Sequence, residues 1–477
     1  MSPIPYAALL LGPLAAALFL FFAGATPRNI AAVVVTLWLL LPVGSIRMAG
    51  GFPSYNSRIF SGYDKSIACA LALLLGVLLS RPELFLKYRF HWVDTAMLVW
   101  CLTPICSSYE NGLGVYDGVN TALRQFLIFG VPYFFGRLLT DDTTFLVAIG
   151  KALLIGAVAY APLVILECRF GPQVHLWVYG VLGRVGGEQM NAFGPLRWKP
   201  AVFLHSQLEL TPMMGVTTLL GFSLWRAGKI KPIGGLVMSW MVPITALCTL
   251  LGKALGGISL TVAAFGALFL TRRLGSILLL LALSLIAPLY VTSRTLGLWN
   301  GQQFVDFVNQ NVSEQRAQSF RTRLQNEDML MVKALERPIC GWGGWGRSAI
   351  IDPSGNVLTI PDGMWIIIFG EYGIVGLAAF YLVLIAPIWL IALRPDRALL
   401  WTDPRGWIVL AAALTVVLHS IDCIANAMPN PVYYLIAGAL ASIAVRRSVP
   451  AAALKKSNIN VSQPRATAVS PASPAMR

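Results

Sequence analysis

The sequence predicts an all-α protein, a polytopic transmembrane helical bundle of about 12–13 spans, with an external helical loop domain. Three observations predict it. Of 477 residues, 57% are hydrophobic and only 12% are charged, at a mean hydropathy of +0.70, which is too apolar for a globular chain solvated by water. Apolar runs near the roughly twenty residues needed to cross hydrocarbon recur along almost the whole length, as in "ALLLGPLAAALFLFFAG" (Ala8 to Gly24) and "GSILLLLALSLIAPLYV" (Gly275 to Val291). Lysine and arginine gather in alternate short connections, as the positive-inside rule requires. Helices are the expected element because their backbone groups are satisfied within the segment.

In order, the spans cover roughly 4–23, 30–46, 64–80, 93–107, 120–139, 144–166, 207–225, 233–251, 254–271, 275–292, 364–393, 407–425 and 432–445. The first lacks a basic leader, and no small-residue cleavage site precedes the next span, so it is expected to stay as a helix rather than be removed as a signal peptide. The tail 446–477 is basic, rich in Pro, Ser and Ala, and has no apolar period, the pattern of a disordered cytoplasmic end. Counting back from it places "RPELFLKYRFHW" (Arg81 to Trp92), "RAGKIK" (Arg226 to Lys231), Arg272 with Arg273, and "RPDRALLWTDPR" (Arg394 to Arg405) inside. The chain thus divides into an N-terminal bundle (1–292) with an external loop (167–206), a large external loop (293–363), C-terminal spans (364–445) and the tail.

The net charge of +15 is then mostly a topology signal and a surface for membrane lipids with anionic headgroups. The basic residues are dispersed rather than set in a stripe with stacking aromatics, which excludes nucleic acid as a partner. Of seven cysteines, Cys69, Cys101, Cys106, Cys248 and Cys423 fall in expected spans. Cys168 and Cys340 face the oxidising side, so a disulfide between them is one candidate pairing. Four histidines with no pair at ligand spacing argue against a histidine-based metal site, and no cofactor is implied.

The large loop holds seven basic residues (Arg294, Arg316, Arg321, Arg323, Lys333, Arg337, Arg347) and seven acidic ones (Asp306, Glu314, Glu327, Asp328, Glu336, Asp352, Asp362). Its net charge is zero, so only placement can make it attract anions. Within it, Phe320, Leu324, Met331 and Leu335 recur at helical spacing between a capping Ser313 and a terminating Pro338, which predicts an amphipathic helix at the membrane surface or under a lid. Arg316 and Arg323 share one face with Arg321 to one side. They form either an anion-binding row or a solvated face paired to Glu314, Glu327 and Asp328.

"RPICGWGGWGRSAIIDPSG" (Arg337 to Gly355) follows. Its glycines allow tight turns and bring backbone amides close to a ligand. Trp342 and Trp345 offer flat faces to a sugar ring or to the headgroup boundary. Beyond it, Asp362 stands just outside the next span, as a proton acceptor or as an ordinary helix cap. Glu371 lies deeper, as a functional carboxylate or a helix-packing contact. In the earlier loop, Arg184, Arg197 and Lys199 approach His205 at the mouth of a span. This is a cluster suited to a phosphate oxyanion, with pairing to Glu188 and Glu209 as the alternative. Asp422 and His419, near the outer end of a span, either line the same cavity or pair with each other. The turn-rich loop "GGFPSYNSRIFSGYDKS" (Gly50 to Ser66) is available for acceptor contacts.

"RLQNEDMLMVKALERPICGWGGWG" (Arg323 to Gly346), "GEYGIVGLAAF" (Gly370 to Phe380) and "FGPLRWKPAVFLHSQLEL" (Phe193 to Leu210) together resemble the O-antigen ligase and polymerase superfamily, in the order arginine, helix, proline and glycine-rich turn, then span. One position departs: the family's histidine, commonly followed by asparagine before the post-loop span, is replaced here by Asp362 and Gly363. The resemblance implies a GT-C-like bundle in the bacterial inner membrane with its active site facing the periplasm. It implies transfer of a glycan from an undecaprenyl pyrophosphate carrier to a glycan or lipid acceptor, in cell-surface polysaccharide biosynthesis. Polymerase and ligase both remain open. On this reading Arg323, Arg321 and Arg197, with Arg184, Arg316 and Lys199, grip the donor. Trp342 and Trp345 contact sugar, and Asp362, His205 or Glu371 handles protons. The alternative is a transporter or flippase of lipid-linked saccharides, for which internal repeats and broken midplane helices are the expected marks; only the pair of spans flanking Lys253 resembles an interrupted helix.

Overall fold

The computed structural model describes residues 3–46, 62–140, 142–183, 196–230, 238–344 and 346–446. Arg184, Trp345, most of the loop 50–66 and the tail beyond Arg446 therefore lie outside the described residues. The structure is 74% helical, and the described strands are a single antiparallel pair, Ser45–Ile46 with Tyr63–Asp64.

The first group of helices is α1 (Ile4–Ala23), α2 (Pro27–Leu40), α3 (Lys65–Ser80), α4 (Glu83–Leu86), α5 (Thr95–Glu110), α6 (Val115–Gln125), α7 (Val131–Leu139) and α8 (Thr144–Phe170). A π-helical turn, Phe126–Gly130, joins α6 to α7. There follow α9 (Val174–Tyr179), α10 (Gln207–Arg226), α11 (Met241–Leu251), α12 (Leu255–Leu274), α13 (Leu278–Ser284) and α14 (Ile286–Thr295). The last group is α15 (Gln302–Asn311), α16 (Glu314–Leu335), α17 (Met364–Ala392), α18 (Leu399–Thr402), α19 (Gly406–Ala425) and α20 (Pro431–Val445). Local signals start several of them: Thr26, Asp64, Ser206, Ser313 and Asn430 each accept a hydrogen bond from the first turn, as N-cap residues do.

A helix occupies every expected span, but six are long and apolar enough to cross a membrane: α1, α8, α12, the α13–α14 stretch, α17 and α19. Four others, α2, α3, α11 and α20, are apolar but shorter. Enclosure orders them. In α19, 78% of the apolar window is buried, against 22% in α1, so α19 is central and α1 peripheral. The outward face of α1 carries Leu10, Leu11, Leu14, Leu18 and Phe22 uncovered, an apolar face that water does not solvate and lipid does. The two ends of the bundle are distinct. Arg272 donates to the carbonyls of Leu400 and Trp401 at one end, and Lys253 donates to that of Trp198 at the other.

α16 forms where its spacing predicts. Phe320 meets Phe304 of α15 edge to face at 5.1 Å, and Leu330, Met331 and Ala334 join the main core. Leu335 departs from the expected apolar face: it is exposed, and Ala334 is buried in its place.

Candidate functional site

α16 carries Arg323, and a buried network holds α16 still. One turn after Arg323, Glu327 accepts hydrogen bonds from the Tyr290 hydroxyl (2.7 Å) and the Trp365 indole (3.2 Å). Arg294 stands 3.5 Å from Glu327 and 2.7 Å from Asp328. Burial pushes the Glu327 carboxyl above its usual range against these donors. Of the three acids expected to neutralise the arginine face of α16, Glu327 and Asp328 are therefore engaged by Arg294 instead. Among the described residues no carboxylate pairs with Arg316 or Arg321, and both are exposed, Arg321 touching only Gln318 at 3.4 Å.

Arg323 points into a polar niche. Its Nε lies 3.4 Å from Asp362 Oδ2, and its Nη1 donates to the Ala425 carbonyl at the end of α19 (3.1 Å). Asp362 is not the helix cap, a place taken by Gly363. Burial raises the Asp362 carboxyl above the usual range, and Arg323 opposes that rise. Gly363 is sterically required: a Cβ there would lie 2.3 Å from the Ile424 carbonyl oxygen, so the start of α17 touches the end of α19 backbone to backbone. That contact is a physical reason for a glycine following Asp362. On α19, Asp422 accepts from the Asn426 amide at 2.7 Å and lies within electrostatic reach of Arg323.

Behind Asp422 is a small cavity of about 10 Å³, near the size that holds one water, whose lining includes Pro212, Gly257, Thr261, His419, Asp422 and Tyr433. Of the two alternatives for His419 and Asp422, shared lining is the one observed: His419 stacks on Tyr433 with centroids 4.0 Å apart.

His205 stands at the entrance of α10. Its Nδ1 lies 2.8 Å from Glu209 Oε2, which also accepts from the His205 backbone amide (3.0 Å). Pairing with Glu209 is thus observed for His205 rather than for the neighbouring cations. Tyr433 lies within electrostatic reach of both Glu209 and Asp422, so it neighbours a carboxylate of each niche. Arg197 is exposed and Lys199 half-buried, next to Trp198, whose carbonyl Lys253 holds at 2.8 Å.

The glycine-rich stretch meets a helix, where a ligand was expected. α17 breaks at Gly373, with φ 61°, and the turn-forming segment 338–343 lies along the break. The amides of Trp342 and Gly343 donate to the carbonyls of Gly370 and Glu371, both at 2.9 Å. The amides of Ile374 and Val375 donate to the carbonyls of Pro338 (2.8 Å) and Ile339 (3.3 Å). Two of the amides in the stretch expected to approach a ligand, those of Trp342 and Gly343, are therefore spent on the helix break. Trp342 is likewise engaged: its indole donates to the Lys333 carbonyl (2.7 Å), and Lys333 and Arg337 lie 3.8 and 4.8 Å from its ring.

Glu371 sits at this junction, roughly 10 Å into α17 from its first residue, Met364, at about 1.5 Å per residue. Its carbonyl also accepts from Ser107 (2.9 Å), so the structure does not bring it to Arg323. Nearby, Arg347 makes a two-pronged contact with Asp117 at 3.1 and 3.3 Å.

The disulfide also differs from the expected pairing. It joins Cys340 to Cys106, Cα atoms 6.0 Å apart, while Cys168 is buried and free. α5 runs on to Glu110, past the expected end of its span, which carries Cys106 up to the glycine-rich stretch. Sequence reasoning also passed over Asn426, Tyr433 and the Arg294–Glu327 pair, none of which has a local signature.

No protein-family model matches the chain, and no curated protein matches it significantly.

Proposed function

We propose that this chain is a membrane glycosyltransferase of O-antigen ligase or polymerase type. It transfers or polymerises a glycan from an undecaprenyl pyrophosphate donor at the outer face of the bacterial inner membrane. The observation that carries the reading is Arg323, held by α16 at the end of an apolar bundle opposite a half-exposed carboxylate, Asp362. As the bond from the sugar to pyrophosphate breaks, charge develops on the leaving oxygens, and a fixed guanidinium stabilises it in a site of low polarity. Arg323 meets Asp362 through Nε and Ala425 through Nη1, which leaves further donors for a phosphate oxygen. Arg321 and Arg316 extend the positive face outward, and Arg197 and Lys199, in the segment before α10, are further cations for the donor's phosphates. The acceptor hydroxyl gives its proton to Asp362 or His205. The Cys106–Cys340 bond fits a compartment that is oxidising.

A break such as that in α17 is also what a transporter of lipid-linked saccharides would use. Here the broken backbone is hydrogen-bonded by 338–343, which favours the enzyme reading over the transporter.

The test is a mass-spectrometric profile of polyprenyl pyrophosphate glycans in cells lacking the protein, complemented with wild type or with Arg323→Ala. Accumulated single repeats identify a polymerase, and long unattached chains identify a ligase; Arg323→Ala should fail to clear either. Absence of any lipid-linked glycan build-up would sink the enzyme reading.

A further inference from the structure

The segment 200–206 leading into α10 is buried but not helical, and side chains from two other helices, α8 and α3, hydrogen-bond its backbone. Glu167 of α8 accepts from the amides of Ala201 (2.8 Å), Val202 (2.7 Å) and, through its other oxygen, Val174 (3.0 Å). The Tyr160 hydroxyl accepts from the Phe203 amide at 2.9 Å. Lys65, buried at the start of α3 and 4.1 Å from the Trp38 ring, donates to the Phe203 carbonyl at 3.2 Å. Val202 is held at φ 56°, a backbone region that β-branched residues enter only when the surroundings over-determine it.

From Pro200 to Ser206, only His205 is not buried. Its backbone amide and its Nδ1 both meet Glu209 Oε2, which fixes the ring, and its side chain is 34% exposed. Among the described residues Nε2 makes no hydrogen bond. Glu209 Oε1 is buried without a hydrogen-bond partner, and the groups that hold the carboxylate charged are Lys65 and His205. Helix capping by Ser206 and Glu209 accounts for the carboxylate, but it needs no imidazole and no buried lysine.

We propose that His205 takes the acceptor hydroxyl's proton through Nε2, with Glu209 and Lys65 as positioning residues, while Asp362 serves as the counter-ion of Arg323. This rests on the glycosyl-transfer reading. The hydroxyl oxygen bonds to the anomeric carbon, and the bond from that carbon to the pyrophosphate oxygen breaks. The electron pair leaves with polyprenyl pyrophosphate, and the hydroxyl proton passes to Nε2 and then to water. The titratable groups facing His205 are Glu209, Lys65 and His175, with Asp422 beyond Tyr433.

The experiment measures rate against pH for the full-length chain in lipid nanodiscs. The donor is polyprenyl pyrophosphate glycan extracted from cells lacking the protein. His205→Gln should lower kcat by about 100-fold or more with little change in donor KM, and its acidic limb should vanish. Glu209→Gln keeps the imidazole but loosens its aim, so kcat should fall while donor KM stays. A His205→Gln rate within about threefold of wild type, well below the contribution of a general base, would overturn the assignment while loss of turnover in Arg323→Ala kept the glycosyltransferase. If His205→Gln does not fold, Glu209→Gln decides: an unchanged kcat, or a loss confined to protein yield and donor KM, means a structural dyad and overturns the proposal. No turnover by wild type overturns both readings.

Discussion

Replacing Gly341 by alanine tests whether the glycine-rich stretch serves the fold or a ligand. A Cβ at this position would lie 2.4 Å from the Glu371 carbonyl carbon, 2.5 Å from the Tyr372 amide nitrogen and 2.6 Å from the Glu371 oxygen. All three are backbone atoms, so no rotamer change relieves the clash, and the stretch must lift by about 1 Å to reach ordinary van der Waals separation. Lifting breaks the bonds from Trp342 and Gly343 to Gly370 and Glu371, at about 1 kcal/mol or more each. The φ of +72° at Gly341 adds about 1 kcal/mol for any side chain. The expected loss is at least about 3 kcal/mol. Gly344→Ala is the internal control: its Cβ would meet nothing closer than 3.7 Å, so its cost should stay within about 0.5 kcal/mol. Thermal unfolding of the purified full chain, followed by tryptophan fluorescence, compares the two. If Gly341→Ala melts with Gly344→Ala yet abolishes turnover, the glycines cradle a ligand and the packing account is wrong.

Three further outcomes follow from the geometry. Protonation of Asp362, whose carboxyl is raised by burial, releases Arg323 from its internal counter-ion. Donor affinity should therefore strengthen as pH falls through a point above the ordinary carboxylate range, and Asp362→Asn should flatten that dependence; an unchanged profile would remove Asp362 as the counter-ion. Arg294→Met strands Glu327 in a buried site and should destabilise by about 3 kcal/mol, with partial recovery in Arg294→Met/Glu327→Met; additive losses in a double-mutant cycle would deny the coupling. Of seven cysteines, five are free, so maleimide in denaturant should label five before reduction and seven after it; seven labelled before reduction would contradict the Cys106–Cys340 bond.

The positions of the helices are legible because burial in lipid demands long apolar runs, and such runs are local. Their ends are less so. The outer end of α5 carries Ser107, Ser108 and Glu110, which read as a connection, yet they are helical because Ser107 and Ser108 find partners in Glu371 and Asp117. The missed reach of α5 is also why Cys106 was placed in a span and Cys168 was offered to Cys340. Arg323 and Asp362 are legible as candidates because each stands at a marked place, one on a helical face and one before a span. Asp422, Asn426 and Tyr433 join them only through the packing of α19 and α20 against α10, a contact between residues some two hundred positions apart. For the glycine-rich stretch, close approach was readable from composition, but whether the approaching group is a ligand or a helix depends on the break at Gly373.

Placement, not charge count, makes the arginine face of α16 attractive to anions. The segment 293–363 carries seven basic and seven acidic side chains, and if these were paired along the helix at spacings of three and four, little field would remain. Instead Arg294, at the end of α14, draws Glu327 and Asp328 to itself, while Asp352 is held by the turn of Asn356. Arg347 spends its charge on Asp117. Of the acids left, Asp362 alone forms an ion pair with a cation of the α16 arginine face, at 3.4 Å and through Nε only. An unscreened guanidinium with one weak counter-ion is thus produced inside a neutral segment. Because the Arg294 network lies one turn from Arg323, the same buried pair that removes the competing carboxylates also fixes the arginine's position. Loss of Arg294 would accordingly weaken donor binding through two routes at once, by returning Glu327 and Asp328 to the arginine face and by loosening the turn that aims Arg323.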